Sequence, residues 1–447
     1  MRRAAALLPV LLWAVQTAFA QAPSAMSEAI PLLRDAPRVA LRNVRIVDGT
    51  GAPARPNQTL VIENGRIRVI ARITIPDGTR ILDLDGRTLL PGFVMLHEHM
   101  QYAAGGGVTF PAPFTSPRRY LAFGVTTIRT AGTDHPYFDL NLKRRVEAGQ
   151  VPGPEMHLTS PFFNGDGSPF LGEKVVHDPE DARRAVRYWA AEGFTSFKAY
   201  QQISKAALAA IIDEAHKLQR PVTAHLSSVT CREAAELGID NLEHAFGPCT
   251  RLTKDDLETA PEGPRARSLI RLLIDRNVVL TFTPVTANLR LSATQRELLH
   301  PLRRDKYDRE QSTGTLPSAQ NVQLAGQLTL AFVRAGGRLV LGSDPNALGE
   351  GRMPGVADHD TIKRVVGVGF SPLETIRMAT LSGATFLGIQ DRTGSIAVGK
   401  EADLQVIRGV PDEDIRDIDN IEIVLANGIA YDPATLLSSV KGQVGWR

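Results

Sequence analysis

Between residues 91 and 390, short apolar runs alternate with helix-length amphipathic segments, and this alternation limits the fold more than any other feature of the chain. An apolar run of roughly four to eight residues reads as a strand buried on both faces, and a helical segment after it supplies the crossover that parallel pairing needs. The runs are Gly92 to His97, Thr126 to Thr130, Glu155 to Thr159, Ser196 to Tyr200, Val222 to Leu226, Asn241 to His244, Val278 to Thr283 and Leu339 to Ser343. Eight such units are the count of an α/β fold of the (β/α)8, TIM-barrel type. Lys205 to Leu218 shows the helical half of the pattern, with alanine and isoleucine at helical spacing and Lys217 in its last turn.

The flanks differ in texture. From about Ala40 to Leu90, β-rich pieces are punctuated by the turn signals Val47-Asp48-Gly49, Glu63-Asn64-Gly65 and Pro76-Asp77-Gly78. The tail repeats this texture in Gly394-Ser395-Ile396, Ala402 to Ile407 and Ile423 to Gly428. Two β-rich ends around a long α/β middle predict one small β-sandwich domain built from residues 21–90 and 391–447, beside a barrel domain at 91–390. Two insertions, Ala103 to Pro117 and Asn288 to Asn321, fall where loops over an active-site face are expected.

Residues 1–20 are read as a signal peptide. Arg2-Arg3 precedes an apolar run through Phe19, and Ala18-Phe19-Ala20 has the small-x-small form of a cleavage site. Cleavage after Ala20 and export to a periplasmic or extracellular space are therefore expected, with no membrane span remaining. Without Arg2 and Arg3 the chain carries 49 basic against 48 acidic residues, and it shows no basic stripe, so nucleic acid is not an expected partner. Cys231 and Cys249 are too few for a disulfide-rich scaffold or a zinc cluster. Export permits a bridge between them, and two ordinary core residues are the alternative.

In a TIM barrel, reactive groups sit at the C-terminal ends of strands. His97 and His99 end the first run, and by strand alternation both point to one side, as two ligands of one metal would. Lys198 lies late in the fourth run, where a buried ammonium needs a partner. His225 ends the fifth run, His244 the sixth and Asp344 the eighth. Taken singly, each has a structural explanation, such as a hydrogen-bonded histidine or an aspartate capping the next helix. Six such residues on five strand ends form a constellation.

At these residues the chain resembles the amidohydrolase superfamily, in its imidazolonepropionase-like branch with prolidase-like members. The resemblance rests on Pro91-Gly92-Phe93 leading into His97-x-His99, on Lys198, and on Glu214-Ala215-His216 followed by Val222 to His225. It continues through Glu243-His244, Gly342-Ser343-Asp344, Ala379-Thr380 and the tail from Gly394 to Leu404. It implies two divalent metal ions, zinc by donor chemistry. His97 and His99 would hold the more buried ion and His225 and His244 the more exposed one. Lys198, carboxylated, would bridge the two, and Asp344 would bind metal and relay protons as the catalytic acid–base. The implied activity is hydrolysis of an amide bond by a metal-activated hydroxide, with a dipeptide or N-acyl amino acid as substrate, in a homo-oligomer.

There are departures and open points. Met95 stands where many members have an acid, which leaves the support of His97 unassigned. Glu98 should face away from the metals by alternation. Single-metal chemistry is an alternative to the two-ion site. Tyr200, sharing a strand face with Lys198, is the expected substrate-contacting hydroxyl. His157, in the third run, is a second candidate for substrate contact. His216 reads as structural, and His135 and His359 as loop residues near substrate. The competing functions are a lactonase or cyclic-amide hydrolase on the same site, and a non-catalytic binding protein on the same scaffold.

Overall fold

Strands buried on both faces form a ring, and the ring positions everything else. The computed structural model describes residues 37–446 apart from 76, 106, 169, 252–261, 285–288, 314–318 and 347–348; the leader expected at 1–20 lies outside the described residues. Phe93–Glu98 pairs in parallel with Val125–Thr130, which pairs with Glu155–His157. Thr159–Asn164 continues that third strand and pairs with Ser196–Ala199, followed by Val222–Ala224, Asn241–Glu243, Val279–Phe282 and Arg338–Leu341. The ring closes where the Asp344 amide donates to the His97 carbonyl at 3.0 Å. Gly342 permits that approach, since a Cβ there would stand 2.6 Å from the His97 nitrogen. The result is a (β/α)8 barrel.

The third strand runs further than the sequence pattern suggests. It breaks at Leu158, so its two halves serve opposite neighbours, and it extends to Asn164 through Pro161. A register shift between Thr159 and Phe162 absorbs the proline, which has no N–H for a regular ladder. Outside the ring, Lys205–Lys217 starts on Ser204, whose hydroxyl accepts from the Ala207 amide. That helix buries Ala207, Leu208, Ile211, Ile212 and Ala215, the face that its spacing predicts.

Both chain ends share a second sheet. Its order is Ile429–Tyr431, Ile421–Ala426, Leu404–Ile407, Thr88–Pro91, Arg38–Ile46, Arg55–Glu63 and Arg66–Ala71, with Arg80–Asp83 also on Arg38–Ile46. The link between the ends is the antiparallel pairing of Leu404–Ile407 with Thr88–Pro91. Register shifts after Leu41 and Val44 bulge the strand Arg38–Ile46, which lets the sheet curl around a core of Leu41, Val44, Leu60, Leu89, Leu404 and Val406. The insertion after the first barrel strand becomes the hairpin Gln101–Gly105 and Val108–Pro111. The one after the seventh contributes helices Ala293–Leu298 and Pro301–Thr313. Cys231 and Cys249 form a disulfide with their Cα atoms 5.5 Å apart, which decides between the two readings of that pair.

Candidate active site

The barrel floor is a buried charge network. Asn241 and Glu243 alternate inward from the sixth strand, and Arg129 and Thr223 reach them from the second and fifth. Arg129 donates to Glu243 Oε1 at 2.7 Å, to Asn241 Oδ1 at 2.9 Å and to the Leu96 carbonyl at 2.8 Å. Burial alone would raise the Glu243 carboxyl, but the charges of Lys198, Arg129 and His97 outweigh it and hold the group well below the usual carboxylate range. Lys198 Nζ stands 3.6 Å from Glu243 Oε1, beyond hydrogen-bond reach, and has no hydrogen-bond partner among the described residues. Burial, with help from Arg129, lowers its pKa to about 8.

Above the floor the expected residues converge. His97 turns Nδ1 toward Glu243 Oε2 at 2.7 Å, which leaves Nε2 free to face Asp344 Oδ1 at 3.5 Å. His99 Nε2 lies 3.4 Å from the same oxygen. One donor atom from each of His97, His99 and Asp344 lies within 4.8 Å of the others, a group able to hold a metal ion. His244 Nε2 and His225 Nδ1 are 3.1 Å apart, and His244 Nδ1 meets Thr283 Oγ1 at 2.6 Å. His244 and Asp344 stand just past their strands at positive φ of 62° and 46°, conformations that side chains disfavour and that aim both groups inward.

These donors fit a metal. Ligand atoms about 2.0–2.1 Å from a tetrahedral zinc ion lie roughly 3.3 Å apart, and the separations of 3.1, 3.4 and 3.5 Å bracket that value. Lys198 Nζ is a buried polar atom without a hydrogen-bond partner among the described residues, as a group awaiting a ligand or a modification would be. Burial and the charges of His225 and His97 keep His244 well below its ordinary pKa, which favours the neutral ring that metal ligation needs. Burial acts to raise the Asp344 carboxyl, while His97, His99 and His244 hold it well down and ionised.

A cavity of about 910 Å³ opens over this centre, with Phe162, Phe170, Tyr200, Phe282 and Val368 among its walls. Tyr200 lines it, its ring 5.3 Å from that of His225. His157 does not. Its Nε2 bonds Glu155 at 3.1 Å, and that carboxylate is held by Arg392 from the tail, so the expected substrate contact is corrected to a bond away from the cavity. His359 is likewise structural, between Asp419 and the Phe123 carbonyl. His216 pairs with Asp240. His135 meets Thr109 Oγ1 and is not among the cavity residues.

For two groups the sequence pattern assigns no role. Glu243 supplies the support for His97 that Met95 cannot give, and Arg129 holds Glu243. The available signal was an acid and an arginine placed in otherwise apolar strands.

A (β/α)8 barrel that gathers histidines, an aspartate and a buried lysine at its C-terminal rim defines a metal-binding hydrolase architecture. The amidohydrolase family model matches residues 88–430, and the chain belongs to the amidohydrolase family. A dihydroorotase of Syntrophus aciditrophicus (strain SB) is 38% identical over 179 residues, 34% of this chain and 40% of that protein. The chain thus spans well under two thirds of that curated relative. A Xaa-Pro dipeptidase structure with bound methionine superposes at TM-score 0.68 with 19% identity, over 88% of this chain and 100% of the other. Phenylurea hydrolase B superposes at 0.69 with 20% identity, over 90% and 98%. These two likenesses establish the fold.

Proposed function

We propose that this protein is an exported, metal-dependent hydrolase that cleaves the carbon–nitrogen bond of a small amide, a dipeptide or an N-acyl amino acid. The observation that carries the reading is the convergence of His97, His99 and Asp344 within 4.8 Å at the barrel's closing seam, beside a buried Lys198 whose Nζ has no hydrogen-bond partner among the described residues. His97, His99, Lys198, His225, His244 and Asp344 would hold two divalent ions, zinc by donor type, with Lys198 carboxylated as the shared ligand. When bound, the ions supply Lewis acidity and a water acidified toward neutral pH.

The remaining steps belong to the chain. Asp344 is ionised and stands at the reacting centre, so it takes the proton of the attacking water and returns it to the leaving nitrogen. Glu243 holds His97 in the tautomer that presents Nε2. The aromatic walls exclude water and receive an apolar substrate group, with Tyr200 offering its hydroxyl. The dipeptidase and phenylurea hydrolase names support an amide-type bond. The dihydroorotase match favours a second reading, a cyclic amide, because dihydroorotate is one.

The test is a mass-spectrometric screen of the zinc-loaded protein against pooled dipeptides, N-acyl amino acids, cyclic amides and lactones, with Asp344→Asn alongside. Amide cleavage that disappears in the variant is the expected result. Turnover of lactones alone would move the enzyme to ester chemistry, and absence of both turnover and bound metal would overturn the proposal.

A further inference from the structure

Glu98 lies between the two metal-facing histidines, and alternation turns it out of the site, but it does not reach solvent. It is fully buried. Its Oε1 accepts from the Ser343 amide at 2.8 Å, and its Oε2 accepts from the Ser343 hydroxyl at 2.7 Å and the Tyr120 hydroxyl at 3.0 Å. The Tyr120 hydroxyl, whose single proton is shared between Glu98 Oε2 and the His99 carbonyl 3.1 Å away, accepts from the His99 amide at 3.3 Å. Asp358 shares a hydrogen bond with the same Glu98 carboxyl, which places one proton between the two acids. One side chain therefore grips the residue before Asp344 at two points and, through Tyr120, the backbone of His99.

The place where this happens is the seam between the first and eighth strands. The first and eighth strands share no regular ladder; the Asp344 amide to His97 carbonyl bond is the backbone link between them. Asp344 itself sits at φ 46°, a conformation uncommon outside glycine that its surroundings help to impose. The two-point hold on Ser343 is such an imposition. The Asp344–His97 backbone bond ties the eighth strand's end to the first strand at one point, and the Glu98 hold on Ser343 is the side-chain tie beside it that bears on the distance from Asp344 Oδ1 to His97 and His99 Nε2.

We propose that Glu98 is a positioning residue for the metal centre, fixing Asp344 opposite His97 and His99 by clamping Ser343 across the barrel seam. This inference rests on reading those three residues as metal ligands. Glu98 touches neither metal nor substrate and acts only through Ser343 and Tyr120. A carboxyl group suits the task because it presents two oxygens, one to the Ser343 amide and one to the Ser343 hydroxyl.

The test uses cobalt(II) alone as probe, read by binding affinity and by its visible d–d absorption, which reports ligand geometry. The full chain is compared with Glu98→Ala, Glu98→Gln, Ser343→Ala and Thr361→Val. Glu98→Ala should bind cobalt about 10- to 100-fold more weakly, the range for loss of an outer support, with a changed spectrum. Ser343→Ala, which keeps the amide and loses the hydroxyl, should show a smaller change of the same kind. Glu98→Gln, which retains an oxygen for the Ser343 amide, should recover most of the native affinity and spectrum. Thr361→Val removes a bond to the Gly342 carbonyl one residue from Ser343. It should lower stability and leave the spectrum native. Unchanged affinity and spectrum in a folded Glu98→Ala would overturn the proposal; if that variant does not fold, the same result in Ser343→Ala overturns it. If the native chain binds no cobalt, the metal reading fails and takes this inference with it, an outcome distinct from native binding that the variants retain.

Discussion

Glu243 receives the His97 ring, the Arg129 guanidinium and the Thr223 hydroxyl, with the Lys198 ammonium 3.6 Å away, all without solvent. Removing one member of such a buried charge set is costly because the others lose their counter-charge, typically about 3–5 kcal/mol. Glu243→Gln is expected to lose stability of that order in denaturant titration and to bind divalent metal at least about tenfold more weakly, since His97 loses its acceptor. A variant with native stability and affinity would refute the hub role. The same residues show what could be read from the chain. His97, His99, Lys198, His225, His244 and Asp344 were legible because their chemistry is conspicuous at the ends of apolar strands. Glu243 was not, because strict alternation sets it on the face opposite His244. In the structure the sixth strand ends at Glu243, and His244 turns back inward through its left-handed backbone. His157 misled for the opposite reason: its strand was plain, but its partners Glu155 and, beyond it, Arg392 lie outside any local pattern.

Among elements, the helix Pro136–Glu147 carries a buried carboxyl in its first turn, Asp139. Burial pushes its pKa up to about 7 from an ordinary 3.8, against a hydrogen bond from Thr133 that pulls it down. An acid raised in the folded state favours its protonated form. Its contribution is present in full below about pH 4 and is lost as the pH climbs to about 7, after which the folded chain holds a buried carboxylate with no cation. Asp139→Asn should therefore match the native protein in thermal stability at pH 4 and exceed it at pH 8 by on the order of 2–4 kcal/mol. Equal pH profiles would show that the carboxyl is not held neutral. Element boundaries followed the sequence where burial on both faces made the run apolar, as in Phe93 to Leu96. They departed from it in the third strand, where Pro161 reads as a stop and a bulge lets the strand pass.

At the scale of the molecule, the barrel and the second sheet meet through Gly92, whose amide donates to the Asp403 carbonyl at 2.9 Å while the next amide, Phe93, bonds the Gly124 carbonyl. Gln405 adds a side-chain bond to the Pro91 carbonyl. The strand Thr88–Pro91 thus runs almost directly into the first barrel strand, and its partner on one edge comes from the tail. Truncation after Asp391 is expected to leave that edge open and yield aggregated protein, whereas a chain cut after Val440 keeps every strand and should remain soluble. Comparable solubility of the two truncations would argue against the sheet's dependence on the tail.

That arrangement also sets an order of events during synthesis. Gln405 and Pro91 are 314 residues apart in the chain, so the strands translated first wait for almost the last ones before they can close their sheet. Pairings of such long range form slowly, and an unpaired strand edge is an open template meanwhile. The ribosome will have released nearly the whole barrel before the amino-terminal strands are locked. The finished enzyme therefore has an early strand tied off by a late one, and a chain still in synthesis is kept unfinished by its own topology.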